Sequence, residues 1–321
     1  MVKEKIARIK NRKKTYYFHR TWMLYLMLLA PLAFFLVFRY VPMTNIIIAF
    51  KDYNIFRGVW ASPWAQNPVN SGDSDIFKWF IQAFTNRDFY IVLRNTIVLN
   101  VLDLLFGFPM PIILAILLNE LPFKGYKKIT QTVIYLPHFL SWIIISGIAV
   151  QLFAPSGGII NMALGNMNLG PIDFLMEKNL WVGTYVGLGI WKEMGWGTII
   201  YLAAITGINP ELYEAAEVDG AGRWGKIWHI TLPGIRPTIV VLLIMNLGRI
   251  LGIEFDRPYT LANSTVMDVA DVISTFVYRV GIRSNQLSYS TAIGLFQSVV
   301  CVFFLMASNT IARKSGERGI W

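Results

Sequence analysis

The sequence predicts an all-α integral membrane protein with six transmembrane helices. Hydrophobic residues make up 55% of the 321 residues and charged residues only 15%, a balance that is wrong for a water-soluble domain. Several apolar stretches reach the roughly 20 residues that a helix needs to cross a bilayer core of about 30 Å. Because a helix satisfies its backbone polar groups internally, these stretches predict membrane-spanning helices.

Six apolar runs define the predicted spans. They cover Trp22 to Val41, Thr96 to Leu118 with a kink at Pro109 and Pro111, Ile129 to Phe153, Leu180 to Thr206, Thr238 to Ile253, and Tyr289 to Ile311. The membrane domain is therefore expected over 22–311, between tails at 1–21 and 312–321. The first run is long for a signal peptide and has no small-residue cleavage site after it, so we expect it to stay as an anchor.

Lysine and arginine residues are distributed unevenly between the two sides that these spans define. The two tails, the second-to-third connection and the fourth-to-fifth connection hold about twice as many as the other connections, and basic residues concentrate on the cytoplasmic side. We expect both termini in the cytoplasm, with Asp73 outside and Arg318 inside. The same distribution accounts for much of the net charge of +10, which argues against nucleic acid as a partner.

The two longer connections on the predicted outer side differ in character. Lys51 to Arg87 is the longest polar stretch and contains proline, asparagine and glycine turn signals, so it predicts a small external cap. Glu254 to Leu287 carries apolar residues at helical spacing. This spacing leaves two interpretations open: a short helix lying on the bilayer surface, or simple packing against the protein's own spans.

The fourth-to-fifth connection, 208–233, begins with the signals of a short capped helix. Asn209 is a favourable N-cap residue, and Pro210 suits the first helical position, where its missing N–H would have no partner anyway. Gly220 suits a left-handed residue after the helix end. These residues predict a rigid two-turn helix from Pro210 to Asp219 on the cytoplasmic side.

A spaced motif runs through the same connection. Glu214-Ala215-Ala216 is followed, after three intervening residues, by Gly220 and, after nine more intervening residues, by Ile230-x-Leu232-Pro233. This order resembles the cytoplasmic "EAA" loop of the membrane subunits of bacterial ABC importers, and the resemblance implies the type I importer permease fold. It also implies that the helix couples to an ATPase subunit through the motif residues: Glu214, Ala215, Ala216, Asp219, Gly220, Ala221, Ile230, Leu232 and Pro233. One departure is Ile227, where many relatives carry an aromatic residue.

The same loop allows two other interpretations. It can be an ordinary capped helix without a partner. Gly220 to Lys226 also reads G-x-x-x-x-G-K, but Ile227 replaces the Ser or Thr of a phosphate-binding loop and no strand precedes it. We expect no catalytic residues, no metal and no cofactor in this chain. The resemblance implies that ATP and Mg bind to partner ATPase subunits.

Further segments lie outside the loop, at 39–43, 46–54, 271–279, 289–297 and 307–313. They are similar to permeases of the oligosaccharide and polysaccharide branch, which includes the alginate importer. The resemblance implies a non-catalytic subunit of the bacterial plasma (inner) membrane. Its partners would be a second, homologous permease, two ATP-binding-cassette ATPases and an extracytoplasmic solute-binding protein. The alternative is a stand-alone secondary transporter or channel, which has no use for the coupling loop.

Polar and aromatic residues within the predicted spans are the candidates for the substrate path, because ionisable groups in a bilayer usually face a partner or a water-filled route. They are Asp103, Trp191, Lys192, Glu193, Trp196, Asn246 and Arg249. Tryptophan faces beside charge suit sugar rings. Lys192 and Glu193 can equally be structural, paired with groups on neighbouring helices.

Basic residues along the expected route make an acidic glycan such as alginate a plausible cargo. Lys192 and Arg249, together with Arg257, Arg279 and Arg283 in the external connection, supply positive charge along the expected route. A neutral-sugar importer also needs basic residues at its interfaces. The choice between acidic and neutral glycans therefore stays open at the level of sequence.

Overall fold

The computed structural model describes residues 21–66, 75–317 and 319–321, so Asp73, Arg318 and nearly all of the predicted N-terminal tail lie outside the described residues. Within this part the chain is helical, and β-pairing is limited to isolated bridges such as that between Lys51 and Trp64. The predicted all-α fold is confirmed. The chain divides into two units, 1–78 and 79–321.

The first unit is dominated by one long helix, α1 (Thr21–Phe50). It continues past the predicted end at Val41 and finishes as a tighter 3-10 helix. After it, the Lys51 ammonium donates to the carbonyl oxygens of Val59 and Trp60 at 2.9 and 3.1 Å, around the short helix α2 (Gly58–Ala61). The beginning of the predicted external cap is therefore a compact turn, to which the Ser62 hydroxyl adds hydrogen bonds with the Asn54 N–H and the Gly58 carbonyl oxygen.

The helices that follow carry the remaining predicted spans. They are α3 (Lys78–Thr85), α4 (Arg87–Asn119), α5 (Lys124–Tyr135), α6 (Trp142–Phe153), α7 (Ile159–Asn166), α8 (Lys178–Thr206), α9 (Pro210–Val218), α10 (Arg223–Leu247), α11 (Asp256–Leu261), α12 (Met267–Ala270), α13 (Ile273–Tyr278) and α14 (Leu287–Lys314). In the described chain α1, α4, α10 and α14 are long and apolar enough to cross a bilayer, and the bent pair α5–α6 adds a fifth if it is one span. α8 is long enough at 29 residues but more polar, so the count of six stays a prediction.

Two of these helices begin earlier than their apolar runs. α4 begins at Arg87 because the Asn86 side chain accepts the N–H of Asp88 at 2.8 Å and caps it. α10 begins at Arg223 and ends at Leu247, ahead of the predicted Thr238 and Ile253. Apolar runs mark the part of a helix that meets lipid, whereas the polar turns at its ends are set by caps.

Both helices contain a π-helical turn shortly before a proline. In α4 this turn covers Asp103–Gly107, ahead of Pro109, and in α10 it covers Ile227–Thr231, ahead of Pro233. Proline has no N–H for the regular helical hydrogen bond, and a π turn shifts that bond by one residue. At the kink predicted in the second span there is therefore a π turn within one continuous helix, and this turn begins at Asp103.

The predicted third span, Ile129 to Phe153, is wrong as a single straight helix. The axes of the helices before and after the break differ by 102°. Pro137 lies in a 3-10 turn at the end of α5, where proline disfavours further α-helix. The Ser141 side chain then accepts the N–H of Ile144 at 3.4 Å and starts α6 in a new direction. The hydropathy of the sequence gives no indication of such a bend.

The connection 254–287 packs against the protein's own helices. Val272, Ile273 and Phe276 are buried, and they lie in hydrophobic clusters with residues of α4, α8 and α14. The N–H of Ile273 donates to the Thr96 hydroxyl of α4 at 2.9 Å. Of the two interpretations that the sequence leaves open, the structure favours packing over a helix on the bilayer surface.

Polar contacts also fasten this connection to α4 and α8. The Asn95 amide donates to the carbonyl oxygens of Asp268 and Asp271, both at 2.9 Å. At the exposed edge, the Lys178 ammonium donates to the Asp268 carboxylate, and this hydrogen bond holds the pKa of Asp268 below its usual value. The connection is therefore an ordered part of the second unit.

Candidate functional site

The predicted coupling helix is present as α9. The Asn209 side chain accepts the N–H of Glu211 at 3.1 Å, so the predicted N-cap is confirmed. Gly220 has a φ of +78°, and the N–H of Ala221 donates to the carbonyl oxygen of Ala216 at 2.8 Å. This pattern closes the helix in the way that a left-handed glycine permits, which confirms the predicted helix end.

α9 is attached to α10 on one side. The hydroxyls of Tyr213 and Thr231 lie 2.9 Å apart, and Thr231 is buried. Glu217 forms an ion pair with Lys226 at 3.4 Å. These contacts join the short helix to the first turns of α10.

The other side of α9 is uncovered. None of its residues is buried in the described chain, Glu214 and Ala215 are exposed, and Val218 is 89% exposed. A helix this short, with an apolar residue and a carboxylate turned to solvent, is suited to binding a partner.

The second half of the motif lies at the π turn of α10. Ile230 and Leu232 are partly buried there, and Pro233 is exposed. Ile227, the residue that departs from the EAA pattern, is only 7% exposed. Since its side chain is buried within the unit, the departure changes internal packing rather than the exposed surface of the loop.

A cavity of about 370 Å³ lies among α4, α8, α10 and α11. Its volume is within the range of roughly 300–1,000 Å³ that is usual for small-molecule sites. Five of the seven predicted path residues line it: Asp103, Glu193, Trp196, Asn246 and Arg249. The other two, Trp191 and Lys192, are not among its lining residues.

An ion pair between α4 and α11 forms one wall of this cavity. The Arg257 guanidinium donates to both oxygens of Asp103, at 2.7 and 3.1 Å, and to the carbonyl oxygen of Tyr185 at 2.6 Å. It also lies 3.7 Å from the centre of the Tyr185 ring. A Cβ atom at Gly189 would lie 2.2 Å from the guanidinium, so any larger residue there would displace Arg257 from its present position.

Arg257, expected in the external connection, therefore has its side chain buried in the second unit. Sequence reasoning missed this pairing because the two residues are 154 positions apart. One signal was available: an aspartate inside an apolar span needs a cationic partner.

Lys192 and Glu193 meet the bend between α5 and α6. The Lys192 ammonium is buried and donates to the carbonyl oxygen of His138 at 2.7 Å. Glu193 lies 3.0 Å from the His138 ring nitrogen, and that ring stacks on Trp196 with centroids 4.5 Å apart. The contacts of Lys192 support the structural interpretation for this residue, and His138 is an addition that the sequence analysis did not single out.

Arg249 is the cation that remains available to a ligand in the cavity. Its side chain is exposed, and it forms no ion pair with any residue of the described ranges. Arg257 is neutralised by Asp103, and Lys192 lies 3.5 Å from Glu193. Neighbouring Asn246 adds a polar group on the same helix.

Comparison with known proteins identifies the chain. Residues 92–315 match the family described as binding-protein-dependent transport system inner membrane component. The chain belongs to this family. The permease is 45% identical over 298 residues to the polygalacturonan/rhamnogalacturonan transport system permease protein YteP of Bacillus subtilis, covering 93% of this chain and 90% of that protein.

Solved structures agree with this assignment. The permease is 41% identical, with a TM-score of 0.82, to a chain of a bacterial ABC transporter involved in the import of the acidic polysaccharide alginate, covering 92% of this chain and 97% of that chain. A structure of the alginate ABC transporter in complex with a pentasaccharide-bound periplasmic protein contains a chain with 40% identity and a TM-score of 0.84, over 94% and 98% of the two chains.

The permease is thus a multi-pass inner-membrane component of a binding-protein-dependent ABC importer of sugars or polysaccharides, with the type I permease fold. The resemblance carried by the Glu214-Ala215-Ala216 loop is confirmed at the level of family. Membership in this family gives no support to a stand-alone transporter or channel.

Proposed function

We propose that this permease carries an acidic oligosaccharide or polysaccharide through the cavity of about 370 Å³, with Arg249 binding a carboxylate of the cargo. The observation that carries the proposal is the exposed Arg249 side chain, which has no ion-pair partner in the described chain. An unpaired cation in a membrane domain costs free energy that an anionic ligand offsets.

Aromatic and amide groups supplement this charge. Trp196 is 45% exposed and is oriented by its stacking on His138, so one aromatic surface can pack against the apolar face of a sugar ring. Asn246 offers hydrogen bonds to hydroxyl groups. The named cargo of the relatives, polygalacturonan or rhamnogalacturonan in one case and alginate in the other, supports an acidic glycan here.

Coupling to ATP hydrolysis follows from the connection between α9 and α10. An ATPase subunit that grips the exposed face of α9, through Glu214 and its neighbours, would move the first turns of α10 through Tyr213 and Thr231. Because α10 is one continuous helix of 25 residues, about 37 Å long, it carries the displacement toward its other end. Arg249 lies two residues after Leu247, where α10 ends.

The full assembly in this proposal contains a second, homologous permease, two ATPase subunits that hold ATP and Mg, and an extracytoplasmic binding protein. Six spans with both termini in the cytoplasm place α9 on the ATPase side. The connection 254–287 then faces the binding protein. The structure of the alginate importer with its periplasmic protein supports this arrangement by analogy.

The role of Arg249 is tested by uptake into proteoliposomes that contain the complete transporter. Arg249→Gln should lower the affinity for trigalacturonate roughly tenfold, the equivalent of one charge-assisted hydrogen bond, while Arg249→Lys keeps the charge and retains most uptake. Trigalacturonate with methyl-esterified carboxylates has the same shape without charge and should be insensitive to the substitution. Equal uptake of the acidic probe by Arg249→Gln and the unaltered protein would contradict an acidic cargo bound at Arg249.

A further inference from the structure

A second cavity, of about 360 Å³, lies within the connection 254–287. Charged, aromatic and amide side chains line it, namely Tyr259, Asn263, Asp271, Tyr278, Arg279 and Arg283. The connection follows the end of α10, whereas α9 precedes its beginning. This cavity is therefore at the opposite end of α10 from the coupling helix.

The charges of this cavity do not cancel. The Asp271 carboxylate is buried and accepts hydrogen bonds from Arg279 at 2.6 Å and from the Thr275 hydroxyl at 2.8 Å. Arg279 and Asp271 therefore neutralise each other. Arg283 is exposed, donates to the hydroxyl of Tyr259 at 2.8 Å, and forms no ion pair within the described ranges. One positive charge remains for a ligand.

Aromatic rings lie directly beside that charge. Phe255 and Tyr259 stack with centroids 4.6 Å apart, and Tyr278 contacts both. The Arg283 guanidinium lies 5.6 Å from the Tyr278 ring and 6.0 Å from the Tyr259 ring. Tyr259 is 41% exposed, so a ring face and a cation are available to the same ligand.

The two cavities share one short helix. α11 contributes Arg257 to the wall of the first cavity and Tyr259 to the second. Both cavities combine one unpaired arginine with an aromatic side chain, Arg249 with Trp196 in the first and Arg283 with Tyr259 in the second. The repeated chemistry points to the same class of ligand at two successive positions.

We propose that the second cavity binds a carboxylate-bearing sugar residue of the incoming chain on its way to the first. Arg283 contacts the carboxylate, and Tyr259 and Tyr278 contact the sugar ring. This inference rests on the proposed function, because it takes the cargo to be an acidic glycan. It adds a separate binding site outside the membrane cavity.

The affinity of each binding step tests the proposal. The complete transporter, purified in lipid nanodiscs without its binding protein, is titrated with trigalacturonate and with trimannuronate, and the dissociation constants of the two binding steps are measured. Arg283→Gln should raise one dissociation constant roughly tenfold and leave the step at Arg249 unchanged. Arg249→Gln should weaken only the other step. Arg283→Lys, which keeps the charge, should retain both steps, as should Arg87→Gln, an exposed arginine outside the cavity.

The possible failures are distinguishable. If Arg249→Gln weakens one binding step and Arg283→Gln weakens none, the second site is absent and the proposed function stands. If neither probe binds to the unaltered transporter, the acidic cargo and the second site fail together. If Arg283→Gln and Arg283→Lys lose binding equally and both melt at a lower temperature, Arg283 is structural and the proposal is overturned.

Discussion

At the scale of single residues, the pair formed by Asp103 and Arg257 determines the charge of the membrane cavity. Its two-point geometry, at 2.7 and 3.1 Å, leaves no net charge on that wall. The Tyr185 carbonyl oxygen accepts a further hydrogen bond from the guanidinium and the Tyr185 ring packs on it, while Arg257 Nε has no hydrogen-bond partner in the described chain. Because Asp103 neutralises Arg257, Arg249 is left as the cation of this cavity that can bind a ligand.

The pair also makes a testable contribution to stability. Arg257→Met leaves the Asp103 carboxylate without its cation in a largely buried position, where loss of one partner costs roughly 3 kcal/mol. The variant should melt several degrees lower in detergent, measured with the purified complex. The double variant Asp103→Asn with Arg257→Met should recover part of this loss, because no uncompensated charge remains. Additive losses in the double-mutant cycle would contradict a direct pairing.

At the scale of elements, the proposed coupling treats α9 and α10 as one lever, with the left-handed Gly220 between them. A Cβ atom at Gly220 would meet nothing within 4 Å. A larger side chain there therefore meets no clash, and its only penalty is the positive φ. That penalty is roughly 1–2 kcal/mol for a residue other than glycine. A residue that avoids the positive φ changes the turn after α9, and with it the angle at which the exposed face of α9 is presented.

Substitution of two glycines in the same loop isolates this effect. Gly220→Val should abolish substrate-stimulated ATPase activity of the reconstituted transporter while the permease still inserts, because the position is outside every span. Gly222 has a φ of −70° and equally open surroundings, so Gly222→Val is the matched control and should couple normally. Glu214→Ala should weaken retention of the ATPase subunits during purification. Full stimulation in both Gly220→Val and Glu214→Ala would show that this loop is not the coupling element.

At the scale of the whole molecule, the lever, the cavity and the outer connection follow one another along the second unit. α9 precedes α10, Arg249 follows the end of α10, and the connection 254–287 comes after it. In the proposed mechanism, a displacement applied at α9 is carried toward the cavity wall and the second cavity by α10, which contains a π turn and Pro237. This order gives import a direction only if α9 is cytoplasmic.

Cysteine labelling in intact cells checks that orientation. Ile282 and Val218 are exposed in the second unit, on opposite sides of α10 in the chain. After replacement of Cys301, Ile282→Cys should react with a membrane-impermeant thiol reagent in intact cells, because the basic residues predict that its connection lies outside. Val218→Cys should react only after the membrane is made permeable. The reverse pattern would invert the topology expected from the basic residues.

Much of this protein was determined locally by its sequence. Apolar composition requires helices in a membrane, and the Asn209 cap and Gly220 end depend on residues a few positions apart. These features were predicted and are present. The family followed from the spacing of Glu214, Ala215, Gly220 and Pro233, since that spacing is a local property too.

Only the tertiary structure decided which charges remain free. Asp103 meets Arg257 across 154 positions, Lys192 is held by the His138 carbonyl at a 102° bend, and Arg283 lies beside Tyr259. Each outcome depends on how helices pack, and a single sequence without its packing leaves such pairs undetermined. Packing gives the Lys192 ammonium a partner, the His138 carbonyl oxygen, and leaves the Arg249 side chain exposed. For this reason Arg249 is the better candidate for binding the cargo.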